Sequence, residues 1–159
     1  MLHKTKIDIR DDKRESVVAI LNKRLADAAD LRSQAKQAHW NVKGLNFIAL
    51  HELFDRVSGE VDAHVDDIAE RITTLGGTAM GTVRLAAENS SLAEYPHEIT
   101  DGATHIDALS SALADFGSRV RRNIDETQDI GDADTADLLT EISRSIDKLL
   151  WLTEAHIQA

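Results

Sequence analysis

Four side chains within residues 46–75, NFIALHELFDRVSGEVDAHVDDIAERITTL, carry the chemistry most worth pursuing: His51, Asp55, Asp66 and Glu70. Each pair is spaced i, i+4, so on a helix its two members stand one above the other on a single face. Imidazole with carboxylate suits a cation that prefers nitrogen and oxygen donors. At ~100° per residue all four fall within an arc of roughly 100°. The two pairs are separated along the helix axis by about 22 Å, whereas metal–ligand bonds are about 2 Å. One copy of the helix therefore cannot bring both pairs to one ion, but two antiparallel copies can. His51 and Asp55 of one copy would then face Asp66 and Glu70 of the other, giving two identical sites about a two-fold axis near Gly59–Asp62. Ser58 and Gly59 are small enough to let the backbones approach there. Spacing alone leaves a second reading open, a solvated polar face braced by helix salt bridges.

The element that must position these residues reads as one long helix. Leu50, Phe54, Val57, Val61, Ile68, Ile72 and Leu75 form its apolar stripe, Asn46 stands at its N-cap position, and Gly76 and Gly77 end it. A first helix is expected from about Asp12 to Trp40, with Val17, Leu21, Leu25, Ala28 and Leu31 on its buried side and the break at Gly44 after it. His39, at the end of that helix, can lie beside His51 and Asp55 of its own chain. A capped or surface histidine is the alternative. Residues 78–97 form a long connection in which ENSSLAEY can make a short helical turn. Helices from about Asp101 to Thr127 and from about Thr135 to His156 complete the pattern, with QDIGDADT as the turn between them. Ile106, Leu109, Leu113, Phe116, Val120 and Ile124 stripe the one, and Leu138, Ile142, Ile146, Leu149 and Leu152 the other. Four long amphipathic helices with one long crossover make an all-α four-helix bundle, a single domain over residues 1–159 with residues 1–10 as a short N-terminal arm.

Composition narrows the function. The net charge is −10 and cysteine is absent, so neither a disulfide framework nor a thiolate metal site is available. An acidic chain disfavours general binding to nucleic acid or anionic lipid and suits one that gathers cations. No apolar run is long enough to span a bilayer and MLHKTKIDIRDDKRE has no signal core, which points to the cytoplasm. Lys4, Lys6 and Arg10 are the basic residues of the arm, the one place where contact with DNA is conceivable.

Other residues admit two readings each. Asp129, Asp132, Asp134 and Asp137 crowd the start of the last helix, as N-caps and dipole complements or as an acidic ring that draws cations inward. His64 reads as a core histidine with its hydrogen bond satisfied. His105 and His156 have no convincing ligand partner at helical spacing. Trp40 and Trp151 read as core or interface anchors, and Trp40, beside His39, is placed to trap stray oxidants. The only Glu-x-x-His, Glu94-Tyr95-Pro96-His97, contains a proline and sits in the connection, so the bundle interior reads as apolar and the metal site belongs at an interface.

KQAHWNVKG, then FIALHELFD, then DDIAER, and finally DTADLLTEISRSIDKLLWLTEAHI resemble the Dps family, the small ferritins of bacteria, over about Leu21 to the C-terminus. The resemblance implies a ferritin-like four-helix bundle whose crossover between the second and third long helices carries a short helix. It also implies a hollow homo-dodecamer of tetrahedral symmetry with ferroxidase sites at two-fold interfaces. By matching motif positions, His39, His51 and Asp55 would come from one subunit and Asp66 and Glu70 from its neighbour. Ferrous iron would be oxidised, preferentially by hydrogen peroxide, and ferric mineral stored inside, with zinc or manganese able to occupy the same ligands. Asp134 and Asp137 match the acidic three-fold pores that admit iron. DNA-compacting members resemble this chain but carry longer, lysine-rich arms, so a nucleoid protein is the lesser expectation.

Overall fold

The structure, a computed structural model, describes residues 2–158; Met1, the first residue of the expected arm, and Ala159, the last of the expected domain, lie outside it. The described chain is helical: α1 Asp11–Asn41, α2 Phe47–Thr74, α3 Val83–Asn89, α4 Gly102–Ile130 and α5 Ala133–Glu154. α1 lies along α2 and α4 along α5, while α1 also packs on α4 and on α3. The residues between α2 and α4, α3 among them, form the expected crossover. Among the described residues no helix is long and apolar enough to cross a membrane.

The core forms where the helical periods place it. All seven residues of the expected α2 stripe, from Leu50 to Leu75, are buried. In α5 the fully buried apolar residues are Leu139, Ile142, Ile146 and Leu149, whereas Leu138 packs at the core's margin and Leu152 is only half-buried. Leu139, Ile142, Ile146 and Leu149 alternate steps of three and four, and Leu138 and Leu152 fall about 60° and 100° from the centre of their stripe.

Two boundaries and one cap differ from the sequence reading. The short helix is α3, Val83–Asn89, which shares only Glu88 and Asn89 with ENSSLAEY. Thr82 starts it by accepting from the Leu85 amide, and the Ser90–Ser91 segment beyond is committed to α1 instead. Ser90 donates to Asp30 at 2.6 Å, and the Ser91 amide donates to Asp27 at 2.6 Å. α4 runs on through Gln128, Asp129 and Ile130, because its stop is Gly131, whose φ of +94° a side chain would resist. Asn46 occupies the N-cap position of α2, but its side chain caps nothing.

Residues 2–10 are non-helical and tied to the body. The His3 amide donates to the Gly76 carbonyl at 2.7 Å. Buried Arg14 donates to the carbonyls of Leu75 and Ile9 at 2.7 and 3.1 Å and pairs with Asp11 at 2.6 Å. Gly76 has φ +84°, and a Cβ there would sit 2.5 Å from the His3 oxygen. The arm thus packs over the C-terminal end of α2.

Candidate metal centre

The short link between α1 and α2 folds the end of one helix against the start of the other. Val42 is buried, the Lys43 amide donates to the Thr100 carbonyl at 2.8 Å, and Gly44 turns the chain at φ +113°. His39 and His51 therefore meet, with ring centroids 3.7 Å apart and planes 21° from parallel. Each ring is held by the other residue's backbone. Nδ1 of His39 lies 2.7 Å from the His51 carbonyl, and Nδ1 of His51 lies 2.8 Å from the His39 carbonyl. A carbonyl only accepts, so each Nδ1 carries the proton and donates. In the neutral rings this leaves both Nε2 atoms as lone-pair donors, the tautomer a metal ligand requires, with orientation fixed in advance.

Asp55 stands one turn beyond His51, exposed, and pairs with Lys36 of α1. That hydrogen bond above all, with the charges of Lys36, His39 and His51, holds its carboxyl below the usual carboxylate range. The lysine neutralises the carboxylate where a cation would otherwise do so. Sequence reasoning assigned Lys36 no role. Its signal was its place three residues before His39, on the same face of α1.

Asp66 and Glu70 lie farther along α2, both exposed, and neither side chain takes a hydrogen bond among the described residues. Within one chain, no three described His, Asp or Glu residues group closely enough to hold a metal ion. The structure thus brings His39 and His51 together at one end of α2, with Asp55 one helical turn beyond and paired to Lys36, and leaves Asp66 and Glu70 farther along the helix. The donors at both places are imidazole nitrogen and carboxylate oxygen, a set that fits ferrous iron, zinc or manganese.

Around the histidines the surface is apolar. Leu45, Phe47 and Ile48 are exposed, and the Phe47 ring lies 5.0 Å from that of His51. Trp40 is 66% exposed and Trp151 59% exposed, so neither is a core anchor. Ser58 does not face outward as the two-fold argument supposed. It is buried and donates to the Arg32 carbonyl at 3.3 Å, while Gly59 meets open space.

The acidic cluster divides. Asp132 is buried, accepts from the Thr135 amide and hydroxyl at 3.0 and 2.6 Å, and takes Arg71 at 2.8 Å. It is a cap and a brace between α2 and α5. Asp129 lies in the last turn of α4, while Asp134 and Asp137 are exposed on the first turns of α5. In the arm, Arg10 is engaged by Asp12 through two bonds of 3.0 and 2.7 Å, and Lys4 and Lys6 are exposed. His64 is buried with Nε2 2.8 Å from the Ser145 hydroxyl, as a core histidine should be. Its other ring nitrogen has no hydrogen-bond partner among the described residues.

The Ferritin-like domain family model matches residues 18–159. A DNA protection during starvation protein of Agrobacterium fabrum is 44% identical over 98% of this chain and 96% of its own length. The Mycobacterium smegmatis Dps in its tetragonal form superimposes with a TM-score of 0.94 at 31% identity, covering 100% of this chain and 96% of that one. Dps from Microbacterium arborescens in its high iron form superimposes with a TM-score of 0.86 at 32% identity, covering 93% and 96%.

Proposed function

This chain belongs to the Dps proteins of the ferritin-like family, and from that premise we propose that it is a ferroxidase and iron-storage protein. Residues 1–159 act as one domain that assembles into a hollow dodecamer in the bacterial cytoplasm. It oxidises ferrous iron with hydrogen peroxide at sites shared by two subunits and stores the ferric product, which protects the cell from oxidative damage.

The observation that carries this reading is the reciprocal lock of His39 and His51. It leaves both Nε2 atoms as lone-pair donors, with the Asp55 carboxylate one helical turn beyond His51, on a surface where Leu45, Phe47 and Ile48 are exposed. An apolar rim calls for a cover. A second α2, lying antiparallel, would cover it and supply Asp66 and Glu70. Ferrous iron, the substrate, displaces Lys36 from Asp55 and takes its place against the carboxylate. Oxidation hardens the ion and favours its transfer to oxygen ligands farther inside. Two electrons from two ferrous ions reduce one peroxide without releasing hydroxyl radical. Zinc or manganese would compete for the same donors. Asp134 and Asp137, exposed and without hydrogen bonds, suit a pore that admits iron, and Trp40 suits a trap for oxidants that stray from His39.

Anaerobic addition of ferrous iron and then peroxide, followed by ferric absorbance, tests the reading. Fast oxidation is expected in the parent and should be abolished in Asp66→Ala/Glu70→Ala with assembly unchanged. Equal rates in the two proteins would overturn it. Binding of DNA through the arm is the weaker alternative. Among the described residues of the arm, Lys4 and Lys6 are the lysine and arginine cations without an ion pair, and the arm is pinned to Gly76 and Arg14. A salt-sensitive gel shift of the assembled protein, lost on deleting residues 2–10, would favour it.

A further inference from the structure

One buried pair outside the half-site has chemistry left unused by the reading above. Tyr95, in the crossover, is the only tyrosine of the chain. It is 7% exposed, and His105 near the start of α4 is 1% exposed. The Tyr95 hydroxyl lies 2.7 Å from His105 Nδ1, with the rings stacked at 6.0 Å. Burial pushes the Tyr95 phenol well above its usual range and the His105 imidazole below its own. In the resting pair the proton therefore sits on the oxygen and is donated to a neutral ring. Nε2 carries the other hydrogen. It meets no partner in hydrogen-bond geometry, although the Ile99 backbone favours the charged form of the ring. On its far side His105 faces the ring of Phe54 at 6.3 Å, and Phe54 directly precedes Asp55. Tyr95 itself borders a surface cleft of about 240 Å³ lined by Gln34, Glu94, Pro96 and Asp115.

We propose that Tyr95 and His105 form a proton-coupled one-electron relay that quenches oxidising equivalents straying from the half-site, with Tyr95 the oxidised group and His105 its positioned base. The inference rests on the ferroxidase reading for the source of the oxidant. A ferrous ion meeting peroxide alone gives ferric ion, hydroxide and hydroxyl radical. The radical takes one electron from the Tyr95 ring and becomes hydroxide, which a solvent proton converts to water. The phenolic proton moves along the existing hydrogen bond to Nδ1, leaving a neutral phenoxyl radical and an imidazolium. A small one-electron donor of the thiol or enediol class, reaching the cleft, returns the electron, and His105 returns the proton. Without His105 the phenol would have no side-chain base among the described residues within hydrogen-bond distance to take that proton. The pair is built for the step because its hydrogen bond already joins the proton to its acceptor.

Freeze-quenched electron paramagnetic resonance of the assembled protein, given ferrous iron and then peroxide, provides the test. A neutral tyrosyl signal is expected, and it can come only from Tyr95. Tyr95→Phe should lose it while forming ferric product at an unchanged rate, and His105→Gln should lower its yield severalfold. A parent protein that makes ferric product without any tyrosyl signal would overturn the relay. So would an undiminished yield in His105→Gln. If no ferric product forms, the ferroxidase reading has failed and the relay is judged alone. Iron-free protein is then oxidised by photogenerated ruthenium(III) tris-bipyridine. Tyrosyl formation that slows in D2O in the parent supports the relay. A rate insensitive to D2O, or no tyrosyl radical, contradicts it even where the variants do not fold.

Discussion

The decisive residues of the half-site are fixed by backbone, not by other side chains. His39 and His51 each donate Nδ1 to the other's carbonyl, so neither ring needs a carboxylate to choose its tautomer. His51→Ala should therefore remove one donor and also release the His39 ring from its stacked partner. Ferrous affinity measured by anaerobic calorimetry should fall at least tenfold, on the order of one lost ligand; an unchanged affinity would contradict the assignment. Lys36 acts in the opposite sense. It holds Asp55 ionised but occupies the place of the cation. Lys36→Ala should raise ferrous affinity severalfold at neutral pH, where Asp55 stays ionised without help. A fall in affinity in the same calorimetry would show that the lysine orients the carboxylate rather than competing for it. The ligand types and their i, i+4 spacing were legible in the sequence. The lysine's place on the His39 face was readable, but its pairing was not, because its partner lies on another helix and only the fold of the link at Gly44 brings them together.

At the scale of elements, the acidic cluster before α5 shows how one sequence feature splits into two roles. Asp132 caps α5 and anchors Arg71, whereas Asp134 is exposed two residues on. Asp132→Ala should strand a largely buried guanidinium and lose a cap, costing about 3–5 kcal/mol of stability. Asp134→Ala should cost under about 1 kcal/mol. Denaturation midpoints of the two variants measure the contrast. His64 gives the bundle an acid sensitivity. Burial holds its imidazole below the usual value of 6.5, against the opposing pull of Asp67, Glu141 and Glu60. As pH falls below about 6.5 the unfolded chain takes up a proton that the folded one refuses, so the stability present above that value is progressively lost. Melting temperatures between about pH 7 and pH 5 should fall more shallowly in His64→Gln than in the parent. Four long helices and their stripes were readable from period alone. The short helix was not, because Ser90 and Ser91 look like helix-capping residues until their bonds to Asp30 and Asp27 of α1 are seen. Nor was the end of α4, where Gly131 outranks the polar run before it.

At the scale of the whole molecule, a single chain presents two incomplete places on α2 and an apolar rim beside one of them. The sequence made that incompleteness legible through simple arithmetic on helix rise. It did not make legible which small residues a neighbour would meet, since Ser58 turns into its own bundle and Gly59 remains outside. The central claim is that each site is shared between two copies, and complementation tests it most directly. One inactive parent carries His39→Ala/His51→Ala and the other Asp66→Ala/Glu70→Ala, and the two are unfolded together and reassembled. In every mixed two-fold pair one site loses both halves and the other regains both. Random mixing should thus restore roughly a quarter of parental peroxide-dependent ferrous oxidation. Mixed oligomers confirmed by mass spectrometry, yet as inactive as either parent, would contradict a shared site.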